Sequence, residues 1–207
     1  MNPFIYPKEK HVRKERPGAL SRYQKYKPFL QREFARKCIF CLMPDTMKDV
    51  ELYGVEHYKP KVSFPHLITT YSNLFYACNP CNRRKGDYWP SRRQGKTHFV
   101  PNPCDHEMFK HLRFVGPRVE ARSTAGETAC ELLDLNDPRA VDYRSFIIDA
   151  INTYSTKKQK LEETKLQLQV LRERRSDSVE ELENAIASVE SDLQTVNQNL
   201  KRLTGDS

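Results

Sequence analysis

No run of the 207 residues is apolar for the roughly 20 positions that a membrane-crossing helix needs. The opening stretch, Met1 to Arg16, mixes Lys, Glu, His and Pro without an apolar core, so it does not read as a secretory leader. Together these absences argue against a membrane protein and lead us to expect a reducing, cytoplasmic setting. There, thiols serve as metal ligands or buried apolar groups more often than as disulfides. A third absence divides the chain. From Ser155 to Ser207 there is no Pro, no aromatic residue and one Gly, whereas all six Cys and every Pro, Phe and Tyr lie upstream.

The tail is patterned as helix. Val179, Leu182, Ile186, Val189, Leu193, Val196, Leu200 and Leu203 recur at alternating intervals of three and four, the seam of a coiled coil. Ser178-Val-Glu-Glu181 reads as a capping box, after a turn at Arg174-Arg175-Ser176-Asp177. Upstream, Leu161, Leu166, Leu168, Val170 and Leu171 form a less regular stripe on a helix expected to begin near Asp137-Pro138, a cap followed by a first-turn proline. The simplest arrangement is a long antiparallel hairpin, and the same stripes also suit zipping to a second copy or to a partner protein.

Charge follows the same division. The first 154 residues carry 26 Lys and Arg against 17 Asp and Glu, the tail 9 against 10. Lys8, Lys10, Arg13, Lys14, Arg16, Arg22, Lys25, Lys27 and Arg32 crowd one cluster, and Arg83, Arg84, Lys85, Arg92, Arg93 and Lys96 form another. Such clusters suit phosphate backbones through counterion release, or simply a solvated face. The interleaved Tyr6, Tyr23, Tyr26, Phe29, Tyr88 and Trp89 suit base stacking or packing.

Cys38-x2-Cys41 and Cys78-x2-Cys81 supply four thiolates at the spacing of a structural zinc site. Cys104 and Cys130 have no partner spacing and read as packing groups. The 36 residues between the two knuckles hold Glu56-His57, at the end of an expected short strand, and Asn73; Asn82 directly follows the last cysteine. A carboxylate is a hard ligand for Mg2+ or Mn2+, and a neutral imidazole can take a proton from water. His11, His66, His98, His106 and His111 read as surface or packing groups.

The order Cys-x2-Cys, Glu56-His57, Asn73-Leu, Cys-x2-Cys-Asn82-x2-Lys85-Gly resembles the HNH endonuclease family, built on a ββα-metal finger. The resemblance implies His57 as general base, Glu56 and Asn82 as ligands of a catalytic Mg2+ or Mn2+, Asn73 as a loop brace, Lys85 near the phosphates, and a structural zinc on Cys38, Cys41, Cys78 and Cys81. Glu56 departs from the Asp usual at its position, lengthening that ligand by one methylene. Tyr58-Lys-Pro-Lys61, Lys85-Gly-Asp87 with Trp89-Pro90, Asn102-Pro-Cys-Asp105, and an expected helix over Thr128–Asn136 with Arg144 extend the similarity over roughly residues 20–150. These segments resemble the HNH nuclease subunits of Septu-type and retron-linked anti-phage defence systems.

The expected fold class is α+β: a zinc-stapled ββα-metal HNH finger within a mainly helical domain, then a long C-terminal helical hairpin or coiled coil. The expected segments are a basic N-terminal stretch over 1–33, an HNH nuclease domain over 34–136 and the hairpin over 137–207. The expected activity is metal-dependent hydrolysis of nucleic-acid phosphodiesters, DNA before RNA, in company with an ATPase or other defence partner and with the C-terminal helices offering a route to a homo-oligomer. Two rivals stand beside it: a non-catalytic zinc module that binds nucleic acid, and an assembly subunit recruited through its hairpin.

Overall fold

A computed structural model describes residues 2–47, 50–174 and 178–205, so residues 175–177 of the expected turn lie outside the described residues. The fold is mixed α+β. Its elements are α1 (Lys27–Glu33), β1 (Tyr53–His57), β2 (Leu74–Cys78), α2 (Asn79–Lys85), α3 (Met108–His111), β3 (Leu112–Val115), β4 (Arg118–Ala121), α4 (Thr124–Leu132), α5 (Pro138–Arg174) and α6 (Val179–Thr204), joined by loops and short 3-10 turns. β1 and β2 pair antiparallel, with Tyr53 opposite Cys78 and His57 opposite Leu74, and α2 follows β2 without a break. A second hairpin, β3–β4, sets Leu112 opposite Ala121.

The core is built on β2. Its Leu-Phe-Tyr-Ala-Cys run has no polar alternation, so both faces must be covered, and all five residues are buried. Phe34, at the end of α1, stacks on Phe75 at 5.5 Å, and Tyr53 stacks on Tyr76 at 5.2 Å. Cys104 and Cys130 pack half-buried against this core, as their spacing suggested.

Residues 2–20 lack regular structure and are strapped onto this core. Phe4 and Tyr6 are buried, Tyr6 stacks on Phe114 at 5.0 Å, and its hydroxyl donates to the Phe40 carbonyl. The strap is clamped by Glu33, whose carboxylate accepts the backbone N–H groups of Lys14 (2.9 Å) and Glu15 (2.8 Å) and meets His11 Nε2 at 2.6 Å. Burial pushes this carboxyl up, but the bonds from Lys14, His11 and Glu15 together outweigh it and hold the group below its usual value. A carboxyl depressed in the fold contributes stability above its unfolded pKa and loses it as pH falls through the folded value. Glu33→Gln should therefore cost roughly 1.5–3 kcal/mol near pH 7, and the gap between the melting temperatures of variant and wild type should close toward pH 3. A gap constant with pH would contradict this.

α5 runs for 37 residues, about 55 Å at 1.5 Å per residue. Asp137 caps it as expected, its Oδ1 accepting the Arg139 N–H at 2.9 Å. α6 runs back along α5: Lys165 pairs with Glu190 at 2.7 Å, and Ile151 shares a cleft with Leu200 and Thr204. The α6 seam is spent on this internal contact, with Ile186, Val196 and Leu203 buried. The capping box does not form. Ser178 sits at φ −134°, ψ 29°, outside the extended region from which a cap side chain reaches back, and makes no side-chain cap bond. The helix expected over Thr128–Asn136 instead starts at Thr124, because the Ser123 hydroxyl caps it by accepting the Gly126 N–H at 3.1 Å. It ends at Leu132, and Asn136 turns away to bond both backbone groups of Val119.

The end of α6 returns to the first knuckle, where Thr46 donates to the Arg202 carbonyl at 2.6 Å. Gly205 closes the helix at φ +75°, and a Cβ there would lie 2.9 Å from Pro44 Cβ and 3.1 Å from Lys37 Cε. Gly205→Val should cost about 1–3 kcal/mol and release this end of α6, seen as faster amide exchange over its last turns; unchanged exchange would contradict the clasp.

Candidate functional site

The two cysteine knuckles meet as their spacing suggested. Cys38 and Cys41 lie in a tight loop in which the Cys38 carbonyl accepts the Leu42 N–H at 2.9 Å and Leu42 takes φ +56°. Cys78 ends β2 and Cys81 sits in the first turn of α2. The four thiols are free, and their Sγ atoms all lie within 4.8 Å of one another, with Cys41 and Cys78 at 3.7 Å. A tetrahedral zinc with Zn–S bonds near 2.3 Å needs sulfurs about 3.8 Å apart, so the cluster fits that metal, while a disulfide would need about 2.05 Å. Among the thiols themselves, hydrogen bonding from Cys38, then Cys78 and Cys81, pulls Cys41 down, while burial pushes Cys38 up and hydrogen bonding from Cys38 and Cys41 pushes Cys81 up.

Glu56 and His57 end β1 and, as neighbours on a strand, leave it toward opposite faces. The Gly54–Glu56 face meets α2. Asn82 Nδ2 donates to the Val55 carbonyl at 3.4 Å and lies 3.6 Å from where a Cβ on Gly54 would stand. Glu56 is 2 % exposed, and its Oε1 lies 2.6 Å from Lys85 Nζ in an ion pair whose alignment leaves that oxygen without a regular hydrogen bond. Burial pushes the Glu56 carboxyl up to about 7, against the opposing pull of Lys85. The Glu56 carboxylate and the Asn82 amide, which meets β1 at Gly54 and Val55, supply oxygen donors of the kind a hard divalent cation takes, and a cation there would have to compete with the Lys85 ammonium already paired to Glu56.

Lys85 was expected near the phosphates, but its ammonium turns inward. It is 2 % exposed and donates to the His57 carbonyl at 3.0 Å besides pairing with Glu56. The last turn of α2 points it at the strand end, where a buried carboxylate needs a buried partner.

The His57 ring packs edge-on to Tyr23 at 4.6 Å and places Nε2 2.9 Å from the Ile68 carbonyl. A carbonyl only accepts, so in the neutral ring Nε2 carries the proton and Nδ1 the lone pair. Burial lowers the His57 pKa, with Lys61 and Lys85 adding to the effect and the Ile68 bond opposing it, so the ring is neutral at pH 7. Asn73 does brace the intervening loop: its Oδ1 accepts the Lys59 N–H at 2.8 Å, and its Nδ2 donates to the carbonyls of Lys59 (3.1 Å) and Leu67 (3.4 Å).

The basic clusters are partly used up within the fold. Arg84 holds Asp137 at 2.7 Å and Asp134 at 3.0 Å, tying α2 to the start of α5. Arg13 lies over the rings of Phe75, Tyr71 and Phe34 and donates to the Leu74 carbonyl. Tyr6 and Tyr26 are core residues rather than stacking platforms. The exposed cation beside the Glu56–His57 pair is Lys61, whose charge acts on both groups and whose Nζ lies 5.2 Å from the Tyr23 ring.

Sequence reasoning assigned no role to Arg144, which is fully buried in α5 and donates to the carbonyls of Pro117 (2.6 Å) and Leu135 (2.7 Å). With Cys41, Cys78 and Cys81 it lines a cavity of about 430 Å³ between the second knuckle and α5. Burial disfavours its charge, and negative charge on Cys41 favours it. Four thiolates around a zinc ion would carry a net double negative charge, which the buried Arg144 cation, lining the same cavity, would help to offset.

No family model matches the chain, and no solved structure matches it. Among curated proteins, the Septu protein PtuB of Bacillus thuringiensis is 27% identical over 114 residues, a stretch covering 54% of this chain and 41% of that protein. The chain thus matches less than half the length of this relative.

Proposed function

We propose that this chain is a metal-dependent HNH-type endonuclease acting in a Septu-type anti-phage defence system. The observation that carries the reading is the ββα unit in which α2 lays an amide and a buried ammonium against β1, the ammonium paired with the buried Glu56 carboxylate at the strand end, next to an imidazole of defined tautomer. The likeness to a Septu protein supports the defence assignment. Glu56 and Asn82 are the residues to hold Mg2+ or Mn2+, and a bound cation would supply Lewis-acid stabilisation of the scissile phosphate and the departing 3′ oxygen. His57, neutral at pH 7, presents Nδ1 to take the proton of the attacking water. The Ile68 carbonyl and the Tyr23 edge fix the ring, and Asn73 fixes the loop carrying Lys59 and Lys61. Lys85 opposes the burial that pushes the Glu56 carboxyl up, rather than meeting phosphate itself.

Binding of Mn2+ to the zinc-loaded protein, followed by electron paramagnetic resonance, tests the metal assignment. Wild type should take up one Mn2+ that Glu56→Gln binds at least tenfold more weakly, with zinc content unchanged. Equal Mn2+ binding by both proteins would remove Glu56 from the metal site.

A second reading, an assembly subunit that engages a partner through the hairpin, is favoured by one observation. Leu166, Val170 and Leu171 on α5 and Val179 at the start of α6 leave apolar surface exposed near the outer end of the hairpin. The two readings are compatible in one protein.

A further inference from the structure

Beyond the loop that Asn73 braces lies a cleft of about 530 Å³, within the size range of small-ligand sites, that neither the zinc cluster nor the Glu56–His57 pair occupies. Tyr58, Trp89 and Phe99 line it together with Lys59, Arg92 and Lys96. Trp89 is the only tryptophan of the chain. The residue is 36% exposed, and its ring is propped by edge contacts to Tyr58 at 5.6 Å and Phe64 at 5.2 Å, with Lys59 Nζ 5.8 Å from the ring centre. Arg92 and Lys96 are exposed, and no ion pair to either is among those found for the described residues. The one carboxylate of the lining, Asp105, is engaged by Asn102 Nδ2 at 2.9 Å. Lys59 follows His57 by two residues, so their Cα atoms lie within about 7 Å of each other.

A hydrophobic occupant gives no use for three lysine and arginine side chains, and a free anion gives none for the aromatic walls. A nucleotide uses both. In a duplex each base face is covered by its neighbours, so only an unpaired or extruded base can lie against Trp89. We propose that this cleft seats an unpaired nucleotide of the substrate strand, its base against Trp89 and the flanking phosphates at Lys59, Arg92 and Lys96, and so favours single-stranded or locally opened nucleic acid next to the cut. The proposal rests on the nuclease reading for its place beside a scissile bond, but binding at the cleft does not depend on catalysis.

The single tryptophan makes the test direct. The zinc-loaded protein, without added Mg2+ or Mn2+, is titrated with oligo(dT), oligo(U) and a blunt DNA duplex while its intrinsic fluorescence is followed. Single strands should quench Trp89 and the duplex should not. By anisotropy with labelled oligo(dT), Trp89→Ala should bind roughly 5- to 100-fold more weakly, the range expected for loss of one base stack, and Trp89→Tyr should retain most of the affinity. Since Trp89 also packs on Tyr58 and Phe64, the Tyr variant and matched melting curves separate loss of stacking from loss of fold. The combined change of Lys59, Arg92 and Lys96 to Gln should flatten the salt dependence of binding. Equal quenching by the duplex, or undiminished affinity of Trp89→Ala, overturns the proposal. Trp89-dependent binding with no cleavage under any metal leaves the cleft standing and fells the catalytic reading; cleavage with no Trp89 effect does the reverse.

Discussion

Cys78→Ser, or stripping of the metal by a strong chelator, should abolish the cooperative melting transition of the zinc-knuckle region. The cluster lies where the fold converges: Cys78 ends β2, Cys81 sits in the first turn of α2, and the Cys38 loop is closed by the pairing of Lys37 with Pro44, against which the end of α6 closes. Structural zinc contributes about 10–16 kcal/mol of apparent binding free energy in small domains, more than the roughly 5–15 kcal/mol net stability of most folds. Without the ion, thiols this close would be held together only by their neighbours. Metal analysis should return one zinc per chain for wild type, and circular dichroism of the Ser variant should keep much of the helix signal of α5 and α6 while the aromatic signal from Tyr53 and Tyr76 collapses. A metal-free protein with wild-type melting would contradict the assignment.

His57→Ala should lower any phosphodiester cleavage rate by roughly 10²- to 10⁴-fold, the usual contribution of a positioned general base. The ring makes one backbone bond and one edge contact, so its loss is local. Zinc content should be unchanged and the melting temperature only modestly lower. His57→Gln fills more of the vacated space and should be as inactive, which separates catalysis from packing. Asn73→Ala, by contrast, frees a donor and an acceptor that hold Lys59 in place and should reduce stability and rate together.

The parts of this fold that could be read in advance are those set by local periodicity or by a chemical staple. Two Cys-x2-Cys knuckles bring four sulfurs to one point, heptad spacing predicts the seam of α6, and Asp137-Pro138 starts a helix because the carboxylate caps and the proline needs no donor. Residues whose roles depend on distant partners could not be read. The N-terminal run looked like a basic arm, yet Phe4 and Tyr6 enter the core and Glu33 clamps the backbone behind them. Lys85 sits in a basic triplet, and only the closing of α2 on β1 shows that its charge belongs to Glu56. Arg144 lies on a helix of mixed polarity, and its burial near the cysteines goes with bonds to the Pro117 and Leu135 carbonyls, outside its own helix. The β3–β4 hairpin is four residues a side, too short for alternation to stand out.

The most direct measurement is a strand-break assay of purified wild type and His57→Ala, both zinc-loaded, on plasmid DNA, phage DNA and RNA with Mg2+, Mn2+ or no added divalent metal. Wild-type breaks that require Mg2+ or Mn2+ and are lost in His57→Ala are the predicted result. Equal cleavage by the two proteins, or none by wild type on any substrate with either metal, would contradict the assignment of Glu56 and His57 as a hydrolytic centre in this chain.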